Sequence, residues 1–210
     1  MGDSDGRSNL IEIPITSTPP ARIFYWAFFT KQPSVNANLE GLSGADTICA
    51  NAAIGVGAKI ELSGRKWMAW LSDSNTNAID RISNESTDLD KPYYTPTDLS
   101  SVKVFDSLNS LISCSGTSCL LTAFHAQNGE AFDFSTTANV FTSTKIDGTA
   151  LLLDNNAAYC LDWTTSSTLG SPTPRAYLGD VSGIDSDWTF AGTNQTCDQP
   201  ALLYCFEVGP

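Results

Sequence analysis

The chain has 210 residues and a formal net charge of −12, from 23 acidic against 11 basic side chains. Such a shortage of cations argues against nucleic acid as a partner, because phosphates need a basic footprint, and equally against anionic membrane surfaces and heparin-like polymers. With 41% hydrophobic and 10% aromatic residues, there is ample material for the core of one domain of generous size.

Residues 1–20 are polar and end in Thr18-Pro19-Pro20. They read as a flexible lead or stalk, with the folded domain over 21–210; the patch from Leu10 to Ile15 suits a short edge strand. The lead lacks the apolar stretch of a signal peptide or membrane span, and the Met1-Gly2 start suggests an export signal that has been removed. Gly6 stands where a myristoylation motif needs Ser or Thr. From Arg22 to Thr30 the chain is aromatic on both faces of an extended pattern, which suits a central strand covered on each side.

The stretch from Glu40 to Asp73 organises the rest. Ser43 reads as a helix N-cap, with Asp46 in the first turn. Ala45, Ile48, Cys49 and Ala52 recur at helical spacing, which puts the cysteine on the buried face, and Gly55 and Gly57 end the helix. Trp67 to Leu71 is an apolar run of strand length. Residues 73–100 are polar. Asp73, Asn75 and Asn77 alternate as in a calcium loop, but an EF-hand needs Gly where Ala78 stands and Glu where Asn84 stands, so a turn entering a short helix at Ala78 to Ile82 is expected instead.

Val102 to Leu111 predicts a strand and a turn, and Leu120 to Phe124 a further strand. Residues 127–156 read as long loops with brief strands around Phe132, Val140 and Leu151; long loops of this kind often bind. Ala157 to Trp163, Asp187 to Phe190 and Ala201 to Val208 complete the strand candidates, with a Ser/Thr/Pro loop over 166–174. The class is α+β, a mixed sheet with one or two short helices and long loops.

Six cysteines and one histidine bound the chemistry. No cysteine pair has Cys-x-x-Cys spacing, so disulfides are expected rather than a zinc site, and with them an oxidising compartment. Six cysteines allow about 15 pairings; the four residues between Cys114 and Cys119 suit a local clip. His125 follows an apolar segment and reads as a structural loop histidine rather than a base. No Gly-x-Ser-x-Gly elbow is present. Asp185 and Asp187 beside Trp188 read as a solvated turn. The five tryptophans read mostly as core. Asn84-Glu85-Ser86 and Asn194-Gln195-Thr196 have the form of glycosylation sequons. No catalytic residue, metal site or cofactor is expected.

Gly41-Leu42-Ser43-Gly44-Ala45-Asp46 leading to Cys49, then Trp67 to Ser72, then Tyr159-Cys160-Leu161-Asp162-Trp163, then Cys197 and Cys205 with Glu207, form an ordered set. In that order they resemble the endostatin-like branch of the C-type lectin-like fold, and among its bacterial members the leptospiral endostatin-like surface lipoproteins. The resemblance covers residues 22–208. It implies disulfides Cys49–Cys205 and Cys160–Cys197, leaving Cys114–Cys119 as a local extra. It also implies a non-enzymatic adhesin on the bacterial outer surface, contacting host matrix proteins or complement regulators, and tied to a membrane only through a removed N-terminal lipid anchor. The sugar-binding triplets of calcium-dependent lectins are not matched: Gln199-Pro200 is followed by Ala201, and Trp188 by Thr189. Endostatin's N-terminal zinc histidines and arginine-rich heparin surface have no counterpart. The alternative expectation is a carbohydrate-binding module with a calcium-independent site. Protein contacts are expected through the loops at 73–100 and 125–157.

Overall fold

One antiparallel partner and one parallel partner decide the architecture around the first strand. The structure, a computed structural model, describes residues 23–33, 36–97, 100–114, 118–132, 139–151, 159–170 and 172–209. The expected lead over 1–20, with its Leu10 to Ile15 patch, lies outside them. Strand β1 (Tyr25–Phe29) is buried throughout. It pairs antiparallel with β8 (Tyr204–Gly209) and parallel with β3 (Tyr93–Pro96). β2 (Lys66–Ala69) lies on the far side of β8, and β4 (Ser101–Phe105) on the far side of β3, giving the order β2-β8-β1-β3-β4. A second sheet runs β5 (Asn139–Phe141), β6 (Arg175–Asp180), β7 (Thr193–Thr196). Helices α1 (Gly41–Ile54), α2 (Ala78–Glu85) and α3 (Leu108–Ile112) complete an α+β chain.

The pleat explains why β1 and β8 read as apolar on both faces. Tyr25, Ala27 and Phe29 join Tyr204, Phe206 and Val208 in one core with Trp70, Tyr93, Phe105, Phe124 and Trp188. Trp26 and Phe28 join Leu203 and Cys205 in the other, against Ala45, Cys49 and Ala53 of α1. Aromatic rings dominate the first core: Tyr93 stacks on Phe105 at 4.7 Å and Trp70 on Phe206 at 5.3 Å. Three disulfides staple the chain, Cys49–Cys205, Cys114–Cys119 and Cys160–Cys197, the same pairs that the resemblance implies.

Edge strand β2 is protected by side chains. The Asp46 carboxylate accepts the Ala69 N–H at 2.9 Å, and Arg81 of α2 donates to the carbonyls of Ala69 and Leu71 and to Asp46 at 2.6 Å. A strand edge closed in this way is no longer a template for another strand.

Several expectations are corrected. Helix α1 begins at Gly41, not after Ser43. The Leu39 carbonyl sits so close to Gly44 that a Cβ there would lie 1.8 Å from it, and Glu40 turns the chain with φ of 62°. Asp46 therefore caps β2 rather than the helix. Leu120 to Phe124 forms no strand: the N–H of Leu120 bonds to Ile184 and that of Leu121 to Val104, so two elements share its donors, while Leu120 and Phe124 are simply core. Phe132 also lies outside any strand and packs from the rim. Asp187 to Phe190 is not a strand; Ser186–Trp188 is a 3-10 turn seated on Gly179, where a Cβ would meet the Trp188 carbonyl at 2.0 Å. The segment ending at Trp163 is not a strand either, but a left-handed turn. Strands β3, β6 and β7 fall where no strand was expected.

Candidate functional site

Trp70 to Ser72 run out of β2 into a set of buried hydroxyls. Ser72, Thr142, Ser143, Thr144 and Thr189 are all fully buried. The Ser72 hydroxyl meets that of Thr144 at 2.9 Å and accepts the Ala78 N–H at the start of α2. Trp70 Nε1 donates to Thr189 Oγ1 at 2.8 Å, Thr189 Oγ1 to the Thr144 carbonyl, and Thr142 Oγ1 to the Thr189 carbonyl. Trp163 Nε1 donates to the Ser72 carbonyl at 2.8 Å. Polar groups in a low-dielectric interior hold one arrangement when each is paired. The network therefore fixes three loops, at 72–78, 142–150 and 159–165, as one rigid end of the molecule.

The third of these loops is strained. Cys160, Leu161, Asp162 and Trp163 have φ of 49°, 52°, 54° and 64°, a turn of left-handed helix without glycine. L-residues there cost roughly 1–2 kcal/mol each. The surroundings hold them in place: the Cys160–Cys197 bond at one end, the fully buried Trp163 at the other, and between them the Asp162 carboxylate, which accepts both the N–H and the hydroxyl of Ser74 at 2.9 Å. Backbone bonds from Trp163 to Tyr159 and from Thr165 to Cys160 close the turn.

The outer surface of this end is rich in hydrogen-bond acceptors. Asp80 and Asp147 are exposed, and Asp73 and Asp162 half-buried beside them. Asn77 ties the first two loops together, its Oδ1 accepting the Ala150 N–H at 2.7 Å, and the Ile79 N–H reaches the Gly148 carbonyl. Burial raises the Asp147 carboxyl, but hydrogen bonds from the Thr149 hydroxyl and N–H, with Lys145 nearby, outweigh it and hold the group below the usual carboxylate range. Burial pushes the Tyr159 hydroxyl up to about 12, and Asp162 and Asp73 add to the shift. Its OH donates to the Leu151 carbonyl.

The structure divides the loops that the sequence grouped. Residues 73–80 and 145–151 meet at this end. Residues 95–97 and 125–130 meet each other elsewhere: the His125 N–H donates to Thr95 Oγ1 at 2.8 Å, and His125 Nδ1 lies 3.1 Å from the Gly129 carbonyl. These bonds make His125 a brace between the two segments. Residues 133–138 and 152–158 lie outside the described set. All five tryptophans are buried. Asp185 accepts the Asp187 N–H in its turn. Among the described residues no group of three or more His, Cys, Asp or Glu side chains could hold a metal ion. Sequence reasoning missed the hydroxyl network and the turn at 160–163. The run Thr142-Ser143-Thr144 beside an apolar strand was the one available signal, and it read as loop.

No protein-family model matches the chain, and no curated protein matches it.

Proposed function

We propose that this chain is a non-enzymatic binding module acting outside the cell, with a C-type lectin-like fold of the endostatin-like branch, which contacts protein partners through the end built from 72–80, 142–151 and 159–165. The fold reading is supported by pairing of the first and last strands and by the bond from the first helix to the last strand, Cys49–Cys205. Three disulfides suit an oxidising compartment, and no helix among the described residues is long and apolar enough to cross a membrane.

The observation that carries the binding role is a set of carboxylates, Asp73, Asp80, Asp147 and Asp162, displayed on loops that a buried network and a disulfide hold rigid. Preorganised loops lose little entropy on binding. A surface of this sign favours partners presenting Lys and Arg, and gives association that weakens with salt. Matrix proteins and complement regulators are the partner class that the resemblance suggests. Immobilised matrix and serum proteins, tested by surface plasmon resonance, provide the test. Saturable binding that slows severalfold in association for Asp147→Asn combined with Asp162→Asn supports the reading; no saturable binding to any of them refutes it.

A further inference from the structure

The edges of the two sheets differ in how they are closed. A sheet edge offers unpaired N–H and C=O groups to any extended chain, and proteins blunt it with charge, proline, a bulge or a covering segment. β2 is covered by Asp46 and Arg81. β4 carries the Lys103 charge, has a bulge in its pairing with β3, and gives its Val104 carbonyl to the Leu121 N–H. The outer side of β5 is bonded to Leu202, which accepts the Phe141 N–H and donates to the Asn139 carbonyl. β7 has none of these devices: Thr193 to Thr196 holds no charge and no proline, and its pairing with β6 is regular.

The alternation of the ladder fixes which groups are open. Tyr177 turns toward β5, where its N–H meets Ser143 Oγ and its carbonyl accepts the N–H groups of Thr142 and Ser143. Ala176 and Leu178 therefore face β7, where they pair with Gln195 and Thr193. Asn194 and Thr196 are left with backbone groups pointing away from the sheet. The Thr196 carbonyl accepts the Gln199 N–H, while the Asn194 N–H and carbonyl and the Thr196 N–H have no partner among the described residues. The strand is held ready for a partner. Cys197, the next residue, is tied to Cys160, and Asn194 Oδ1 accepts a bond from Arg175 at 2.9 Å. Gln195 Nε2 donates to the carbonyls of Gln199 and Pro200. A Cβ on Gly192, just before the strand, would meet nothing within 4 Å, so that end is open to approach.

We propose that β7 is a strand-addition site, which takes an extended segment of a partner protein as a further antiparallel strand of the second sheet. One outward residue that both donates and accepts, with a donor two residues on, is the pattern that an antiparallel backbone completes. The net charge of −12 disfavours a second copy, which would bring the same charge to the edge, and favours a neutral or basic segment. The site shares no residue with the carboxylate-bearing end.

A random-peptide display library panned on the whole chain supplies the probe. The most enriched peptide is then made plain and N-methylated at either alternating set of residues. Hydrogen exchange in the free chain should be fast at Asn194 and Thr196 and slow at Thr193 and Gln195, and the plain peptide should slow the first two at least about tenfold. Methylation of one alternating set should weaken binding at least about tenfold and of the other set little, because only one set faces β7. Asn194→Pro removes an outward donor at an edge position that tolerates proline, and should weaken binding similarly with a near-native thermal midpoint. Should that variant fail to fold, exchange and the methylated peptides carry the test. Asp147→Asn combined with Asp162→Asn should leave peptide binding unchanged, so failure here and failure of the carboxylate-bearing end are told apart. No neutral or basic peptide enriched, equal tolerance of methylation in both sets, exchange at Asn194 unaltered by the peptide, or a dimer of the chain with Asn194 protected overturns the proposal.

Discussion

Replacing Arg81 by Met tests the strap that joins α2, α1 and the edge of β2. The guanidinium bonds to the carbonyls of Ala69 and Leu71 at 3.0 and 3.3 Å and to Asp46 at 2.6 Å, and its side chain is 8% exposed. Methionine fills most of the volume and removes every donor. Stranding a buried charge in this way costs about 3–5 kcal/mol. Asp46 is 22% exposed and keeps its bond from the Ala69 N–H, so the low end applies, about 3 kcal/mol. For a chain of this size that lowers the thermal midpoint by about 6–12 °C. Urea unfolding followed by tryptophan fluorescence measures the loss, and a double-mutant cycle with Asp46→Asn isolates the pair. The neighbouring Lys66–Glu85 pair links α2 to β2 alone, with side chains 52% and 44% exposed. Lys66→Ala should therefore cost under about 1 kcal/mol. A loss under 1 kcal/mol for Arg81→Met, or no coupling with Asp46→Asn, refutes the reasoning.

Removing each disulfide as a pair of alanines should follow the loop it closes: about 5 kcal/mol for Cys49–Cys205, about 4 for Cys160–Cys197 and about 2 for Cys114–Cys119 on the chain-entropy account. Loss of Cys160–Cys197 alone should also speed hydrogen exchange at Ser74, because the left-handed turn that presents Asp162 loses its anchor; unchanged exchange there would refute the clamping role. Alkaline stability should fall between pH 10 and 12. Burial holds Tyr93 and Tyr204 well above the ordinary value and Tyr159 at about 12. A raised folded-state value stabilises below the unfolded value of about 10, and that contribution disappears as pH rises through the folded value. Absorbance at 295 nm should show tyrosine ionisation lagging until the far-UV circular dichroism signal collapses.

The parts of the fold legible in the sequence are those where burial itself made the pattern. β1 and the run through Trp70 are apolar on both faces because both faces are covered, and α1 carries its cysteine on the packed side. β7 was illegible for the converse reason: Thr193 to Thr196 is an exposed edge strand without an apolar residue, specified by its backbone bonds to β6. The turn at 160–163 misled because Tyr159, Cys160 and Trp163 are as buried as strand residues, while nothing in Leu161 or Asp162 announces positive φ. Tertiary partners impose that conformation on them. In the same way Ser72 and Thr142 to Thr144 have loop composition but core burial. No sequence pattern could reveal that Trp26, one of five apolar residues in a buried strand, lacks an acceptor for its indole N–H.

Strand β8 shows how one frame serves both ends. Its even positions, Tyr204, Phe206 and Val208, face the aromatic core, and Cys205 and Glu207 face α1, Trp26 and Arg65. A change confined to one set should therefore be felt on one side. Glu207→Gln keeps the acceptor for the Trp26 N–H but removes the fully buried charge that holds Arg65 over the indole. The expected outcome is a lowered thermal midpoint with binding at the carboxylate-bearing end preserved below it, read by thermal unfolding and by surface plasmon resonance with the protein partner. Loss of that binding at a temperature where the variant is still folded would mean that the two faces are not independent. An unchanged thermal midpoint would refute the role given to the buried Arg65–Glu207 pair in holding this side of β8.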